Sequence, residues 1–170
     1  MVSSPDKYFF INNIASVDVN DWNECAGLDH PFTRHEFLSA LEKSNSASTK
    51  TGWTPFHYIE KNNKNKIIAV CPLYIKSHSF GEYIFDHAWA DAYHRHGLNY
   101  YPKLQSAIPF TPVTGERIIV SDALKDKLSK KVEIINRIIE KTKKINVSSL
   151  HFNFLPQPNN IKQQNPELLV

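Results

Sequence analysis

Apolar residues fall along this chain in short bursts of two kinds. Those that alternate with polar residues, or run unbroken between turn-forming stretches, predict strands. They are Tyr8-Phe9-Phe10-Ile11, Phe56-His57-Tyr58-Ile59-Glu60, Ile67 to Ile75, Tyr83-Ile84-Phe85, Arg117-Ile118-Ile119-Val120 and Leu150-His151-Phe152-Asn153-Phe154-Leu155. The polar turn 61–66 between the second and third runs predicts an antiparallel hairpin. Helices are read from caps and stripes. Asp21 to Ala26 opens a short helix, and Thr33 with Glu36 has capping-box spacing, with Phe32 and Phe37 placed as a hydrophobic staple. The helix that follows runs from about Arg34 to Lys43 and turns Phe37, Leu38 and Leu41 inward. Ser121 or Asp122 caps a long amphipathic helix reaching Lys144, with Leu124, Leu128, Val132, Ile135 and Ile139 on one face. Ser44 to Thr51 has no apolar period and reads as a surface loop.

This order of elements predicts an α/β (α+β) domain, a mixed sheet with helices against it. Residues 1–155 make one lobe. Residues 156–170 form a polar, proline-containing tail that reads as the truncated start of a second lobe. At 170 residues and 41% hydrophobic the chain can bury a substantial core, which excludes a disordered protein. No apolar run is long enough to cross a bilayer and the first residues lack the pattern of a signal peptide, so no membrane insertion and a cytoplasmic location are expected. Cys25 and Cys71 stand far apart without metal-ligand spacing and are expected reduced and buried. The net charge of +3 is gathered in Lys125 to Lys144, where a solvated helix face accounts for it; no DNA partner is implied.

Between Asp86 and Gly115 the pattern breaks, and the chain fills with Asp, His, Tyr, Trp and Pro. We expect irregular structure over a site. Asp86 and Asp91 are the candidate bases, because a carboxylate against aromatic walls can be tuned to take a proton from an amine. His87, Trp89, Tyr93, Tyr101 and Gln105 are candidate substrate contacts, and Lys103 is a point charge for a carboxylate or phosphate. Thr111, Thr114 and Gly115 sit in a loop stiffened by Pro109 and Pro112. Their hydroxyls and the glycine suit a grip on an amide or phosphate, or equally a rigid corner into the next strand. The two segments are expected to line one concave site. His87, Asp91, His94 and His96 are competent metal ligands but lack a ligand spacing, so no metal is assigned. With five glycines the chain has no Walker loop, dinucleotide fingerprint, nucleophile elbow or glycine-rich pyrophosphate signature.

The runs Thr51-Gly52-Trp53-Thr54-Pro55, Pro72 to His87, Trp89-Ala90-Asp91-Ala92-Tyr93, Tyr100-Tyr101-Pro102-Lys103-Leu104-Gln105 and Pro109 to Gly115 resemble the FemAB-like family. That family is related to the GNAT acyltransferases and linked with peptidoglycan biosynthesis and recognition. The resemblance spans roughly Trp22 to Leu155. It implies a GNAT-like central mixed sheet flanked by helices, a single lobe of a protein whose relatives carry two, and transfer of an acyl or aminoacyl group onto an amine. Acetyl-CoA or aminoacyl-tRNA would be the acyl donor and a cell-wall peptide or other amine-bearing substrate the acceptor, with a second lobe or self-association completing the assembly. A non-catalytic module recognising a cell-wall precursor or a protein partner would need only the aromatic surface.

Overall fold

A computed structural model describes residues 7–156 and 162–163. The tail expected at 156–170 therefore lies almost wholly outside the described residues. Among the described residues, eight strands form two four-stranded sheets. The first has the order β1 (Lys7–Ile11), β3 (His57–Lys61), β4 (Ile67–Cys71), β7 (Ile119–Val120), all antiparallel. The second has the order β2 (Trp53–Pro55), β5 (Tyr74–Lys76), β6 (Lys103–Ser106), β8 (Leu150–Phe152), and its last pair is parallel.

The predicted hairpin forms, but each arm is broken. Pro72 has no N–H for the ladder, so the single strand expected from Ile67 to Ile75 divides into β4 and β5. Phe56 divides the facing arm into β2 and β3, and its N–H still reaches Leu73 O at 2.9 Å. Each arm thus passes from one sheet into the other at the same level. The bend at Pro72 is closed from the second sheet, where Ser106 Oγ donates to Pro72 O at 2.7 Å.

All five residues of β4 are buried, as expected of a strand covered on both faces. On one face Ile14, Trp22, Leu38, Ile59, Ile67 and Val70 form a core with α1 (Val19–Ala26) and α2 (His35–Lys43). Against the other, Tyr58, Ala69, Cys71, Ile118 and Val120 pack with Ile134, Ile135 and Ile138 of α4 (Lys127–Thr142). Both cysteines are free and buried. A polar bolt joins α4 to the sheet: Glu60, fully buried on β3, accepts from Tyr58 Oη at 2.8 Å, Lys130 at 2.9 Å and Arg137 at 2.8 Å. Part of the lysine-rich helix therefore faces inward to a carboxylate.

Several local expectations need correction. The box predicted at Thr33 does not form, because Thr33 Oγ1 donates to His30 O while Glu36 is held by Asn23 and Arg34. The staple does form, with the Phe32 and Phe37 rings 5.1 Å apart. A capping box appears instead at Ser48 and Thr51, opening a 3-10 turn in the supposed loop. The long helix begins later than expected, since Asp126 rather than Asp122 caps it, accepting from Ser129 N at 3.1 Å. Tyr83-Ile84-Phe85 is an exposed stretch of loop and not a strand. Within the segment expected to be irregular, His87–Arg95 is a helix, α3, and Lys103–Ser106 is β6.

Candidate functional site

The register of β5 with β6 places Lys76 directly opposite Lys103 and Tyr74 opposite Gln105. Alternate residues of a strand share a face, so the inward turn of Tyr74 carries Lys76 inward as well. Two like charges facing each other are unfavourable, and a buried ammonium needs a partner. Both needs are met by the strap that follows β5. Glu82 lies 3.0 Å from Lys103 Nζ and 4.0 Å from Lys76 Nζ, and Asp86 also bonds Lys103 Nζ. Lys76 donates to Phe80 O at 3.0 Å and stands 3.8 Å over the Trp53 ring. The side chains of Lys76, Lys103 and Glu82 are at most 1% exposed, and that of Asp86 is 14% exposed.

Burial sets the electrostatics of this cluster. It pushes the Glu82 carboxyl above its ordinary range against the pull of both lysines. It brings Lys76 down to about 8, helped by Lys103 and opposed by Glu82. The Tyr101 phenol is pushed up to about 12 and that of Tyr100 beyond its ordinary value, both chiefly by burial. His151, reached from β8, is lowered by burial and by Lys103. One carboxyl, Glu82, is thus raised beside one lysine, Lys76, that is lowered.

The second part of the site lies where β6 and β8 end. These parallel strands, joined through α4, stay paired as far as the bond from Asn153 N to Ser106 O at 3.0 Å. Beyond it the chain from Ala107 loops away, and Gly115 N returns to Phe154 O at 3.0 Å. Beneath the loop sits Arg117, fully buried. Its Nε donates to Asn153 O at 3.0 Å and its Nη2 to Val113 O, while Nη1 has no acceptor among the described residues. Arg117 thus ties the edge of the first sheet to the mouth of the second. His30 covers Gly115 from outside, with Nε2 3.3 Å from Thr114 O. The two parts touch where Phe110 N donates to Gly81 O at 3.2 Å.

Of the residues singled out from the sequence, Asp86, Tyr101, Lys103 and Gln105 lie in or beside the cluster, and Thr111, Thr114 and Gly115 in the loop over Arg117. Lys103 differs from the expected point charge for substrate, because its ammonium is taken up by Glu82 and Asp86. On α3, Asp91 and Trp89 face outward, and His87 stacks at 5.6 Å on the exposed Phe85. Tyr93 turns inward and meets Tyr100 edge-on at 5.1 Å. Two hollows of the surface are lined by residues outside both of these segments. One hollow of about 490 Å³ is lined by Asn13, Glu42, Thr54, Phe56 and Ile75, among others. There Glu42 is a structural tie, accepting from Ile14 N and from His57 Nε2, both at 2.9 Å. Another hollow of about 570 Å³ lies beside Gly81 and Phe110. Sequence reading missed Lys76, Glu82 and Arg117. Lys76 was accessible through its inward register, whereas the partners of Glu82 and Arg117 depend on contacts distant in sequence.

Known proteins share this chain's fold and its family. The fold is that of the GNAT acetyltransferases: the structure superposes on an aminoglycoside 6'-N-acetyltransferase from Acinetobacter baumannii with a TM-score of 0.52 and 12% identity, covering 98% of this chain and 92% of that one. At that identity the likeness concerns the fold alone. The FemAB-like family model, described as peptidoglycan biosynthesis/recognition, matches residues 13–169, and the chain belongs to that family. No curated protein matches it.

Proposed function

We propose that the chain is an N-acyltransferase lobe that moves an acyl or aminoacyl group from an activated donor onto the amine of a cell-wall peptide. The observation that carries this reading is the parallel pair β6–β8, which parts above Arg117 and the Thr111–Gly115 loop. Ligands of open α/β sheets bind outside the carboxyl ends of such strands. Thr111, Thr114 and Gly115 would face the donor there, acetyl-CoA or aminoacyl-tRNA, with Arg117 positioning the loop. In the transfer the amine nitrogen attacks the acyl carbonyl and the amide bond forms. The bond to the thioester sulfur or to the ribose oxygen breaks, and that leaving group takes up the one proton the amine has lost, relayed by the base. The proton lost by the amine passes to a carboxylate. We assign this to Asp86, the more exposed acid of the cluster, with Lys103 orienting it and Glu82 beside it. Asp91, the other candidate, would act only on a substrate lying along the outer face of α3.

The test is transfer of label from acetyl-CoA and, separately, from alanyl-tRNA to a synthetic stem peptide bearing a free amine. Acylated peptide from one donor, lost in a folded Asp86→Asn variant, supports the reading. Peptide bound but unmodified with either donor favours the recognition module instead, to which the exposed aromatics Tyr83, Phe85 and Trp89 are suited.

A further inference from the structure

The hollow of about 490 Å³ is separate from the ion cluster and from the loop over Arg117, sharing no residue with either. Thr54 and Ile75 face each other in it across β2 and β5, turned away from the side that carries Trp53 and Lys76. Of the residues lining it, Glu42 alone carries a charge, and its side chain is only 10% exposed. Each Glu42 oxygen takes one bond, from His57 Nε2 and from Ile14 N, both at 2.9 Å. His57 Nδ1 is itself in use as an acceptor, taking the bond from Leu73 N at 3.2 Å, so the imidazole is the neutral tautomer with its proton on Nε2. Both donors to Glu42 are therefore uncharged. Among the described residues no lysine or arginine stands within ion-pair distance of it, and Lys141, 5.7 Å from the Phe56 ring, does not line the hollow. A charge so far buried is costly unless an opposite charge meets it, and about two of the roughly four acceptor positions of this carboxylate are unspent. An unbalanced carboxylate beside a hollow points to a cation brought from outside.

The groups around the carboxylate define what carries that cation. A divalent metal ion is poorly served, since no second carboxylate, histidine or cysteine lines the hollow. The other polar groups are neutral and have donors to give. Thr54 Oγ1 donates to Thr49 Oγ1 at 3.1 Å, and the Thr49 proton has no acceptor among the described residues. Asn13 spends its Oδ1 on Ala15 N at 2.8 Å, and among the described residues its amide N–H groups and the whole Asn12 side chain have no partner. Phe56 and Ile75 add an apolar flank. We infer that this hollow binds a small primary amine with a hydroxylated body, of the amino-sugar class. The ammonium meets Glu42, the hydroxyls accept from Asn12, Asn13 and Thr49, and the C–H face of the ring lies against Phe56. This site stands whether or not the chain transfers an acyl group.

The experiment is a titration of the folded protein with glucosamine, at a pH where its amine is protonated, and with glucose, in which a hydroxyl replaces the ammonium. It is followed by heteronuclear NMR of the assigned Ile14 N–H and of the Asn12 and Asn13 side-chain amides. Glucosamine should move these signals saturably, and glucose should bind at least about tenfold more weakly, a difference of about 1.4 kcal/mol. Cyclohexylamine, with the charge but no hydroxyls, should lose a similar factor. Glu42→Gln should bring glucosamine down to the level of glucose. Because Glu42 also ties Ile14 and His57, Thr49→Lys serves as a second variant: this exposed change brings an ammonium of the chain itself to the carboxylate and should weaken glucosamine at least about tenfold. Signals that do not move with glucosamine, glucose or cyclohexylamine binding as tightly, or an unchanged affinity in Thr49→Lys would each overturn the assignment.

Discussion

Replacing Lys103 by Met keeps the length and apolar bulk of the side chain and removes one charge from a cluster in which two ammonium groups balance two carboxylates. Glu82 would lose its partner at 3.0 Å and Asp86 its ion-pair partner. Taking one member from a buried ion pair costs about 3–5 kcal/mol, because the charge left behind is neither solvated nor met. Lys76 remains 4.0 Å from Glu82, and Asp86 reaches solvent with part of its side chain, so the cost should fall near the lower end, about 3 kcal/mol at neutral pH. Glu82 is already raised by burial against the pull of Lys103, and without that pull it rises further. A carboxyl whose folded pKa exceeds its unfolded value contributes fully below the unfolded value, about 4.3, and loses that contribution as pH rises through the folded one. The penalty should therefore be small near about pH 5 and grow toward about pH 7, at about 1.4 kcal/mol for each unit by which the folded value exceeds the unfolded one. Urea unfolding of the wild type, Lys103→Met and Lys103→Met/Glu82→Gln at both pH values measures this. The double variant should regain most of the loss, since Lys76 and Asp86 again balance. A penalty below about 1 kcal/mol, or one equal at the two pH values, would refute this balance of charges.

Two further outcomes follow from the site and the core. Gly115→Ala would put a Cβ 2.5 Å from His30 Nε2, so the His30 ring must move off the loop; its ring signals should shift in NMR and the contact with Thr114 O should be lost, whereas an unchanged His30 would mean that the loop already has slack. Cys25 and Cys71 are both buried, and burial pushes each thiol up to about 12, so a thiol reagent at mildly alkaline pH should label neither in the folded protein and both in urea; prompt labelling of the native chain would contradict their placement.

What could be read from the sequence was what depends on neighbours a few residues away. The hairpin about 61–66, the strand at Tyr8 and the inward stripe of α4 all appear, because apolar period and turn chemistry act locally. Local signals misled where a tertiary partner claimed the same atoms. Glu36 had the right spacing to cap α2 and bonds Asn23 of α1 instead. Tyr83-Ile84-Phe85 has strand composition, but a strand needs a ladder and no edge among the described residues meets it. The helix α3 escaped notice because none of its residues is buried and its Asp, His and Tyr content reads as an irregular polar segment.

The site was half visible for the same reason. Asp86, Tyr101 and Lys103 stood out as a dense polar run, yet density says nothing about which groups consume one another. Lys103 looked like a free charge until the β5–β6 register set it against Lys76. That pairing is unfavourable unless acids close over it, which makes the strap from Ser77 to Asp86 part of the energetics of the sheet as well as the cover of the site. A strap held by Glu82 and Asp86 also fixes Gly81, and with it both the bond to Phe110 and the close packing of Gly81 against the Trp53 and Phe110 rings. The buried charges and the proposed donor loop are therefore coupled through one short segment. Loosening the ion cluster should disturb both the loop over Arg117 and the hollow beside Phe80, whereas a change on the outer face of α3 should leave them in place.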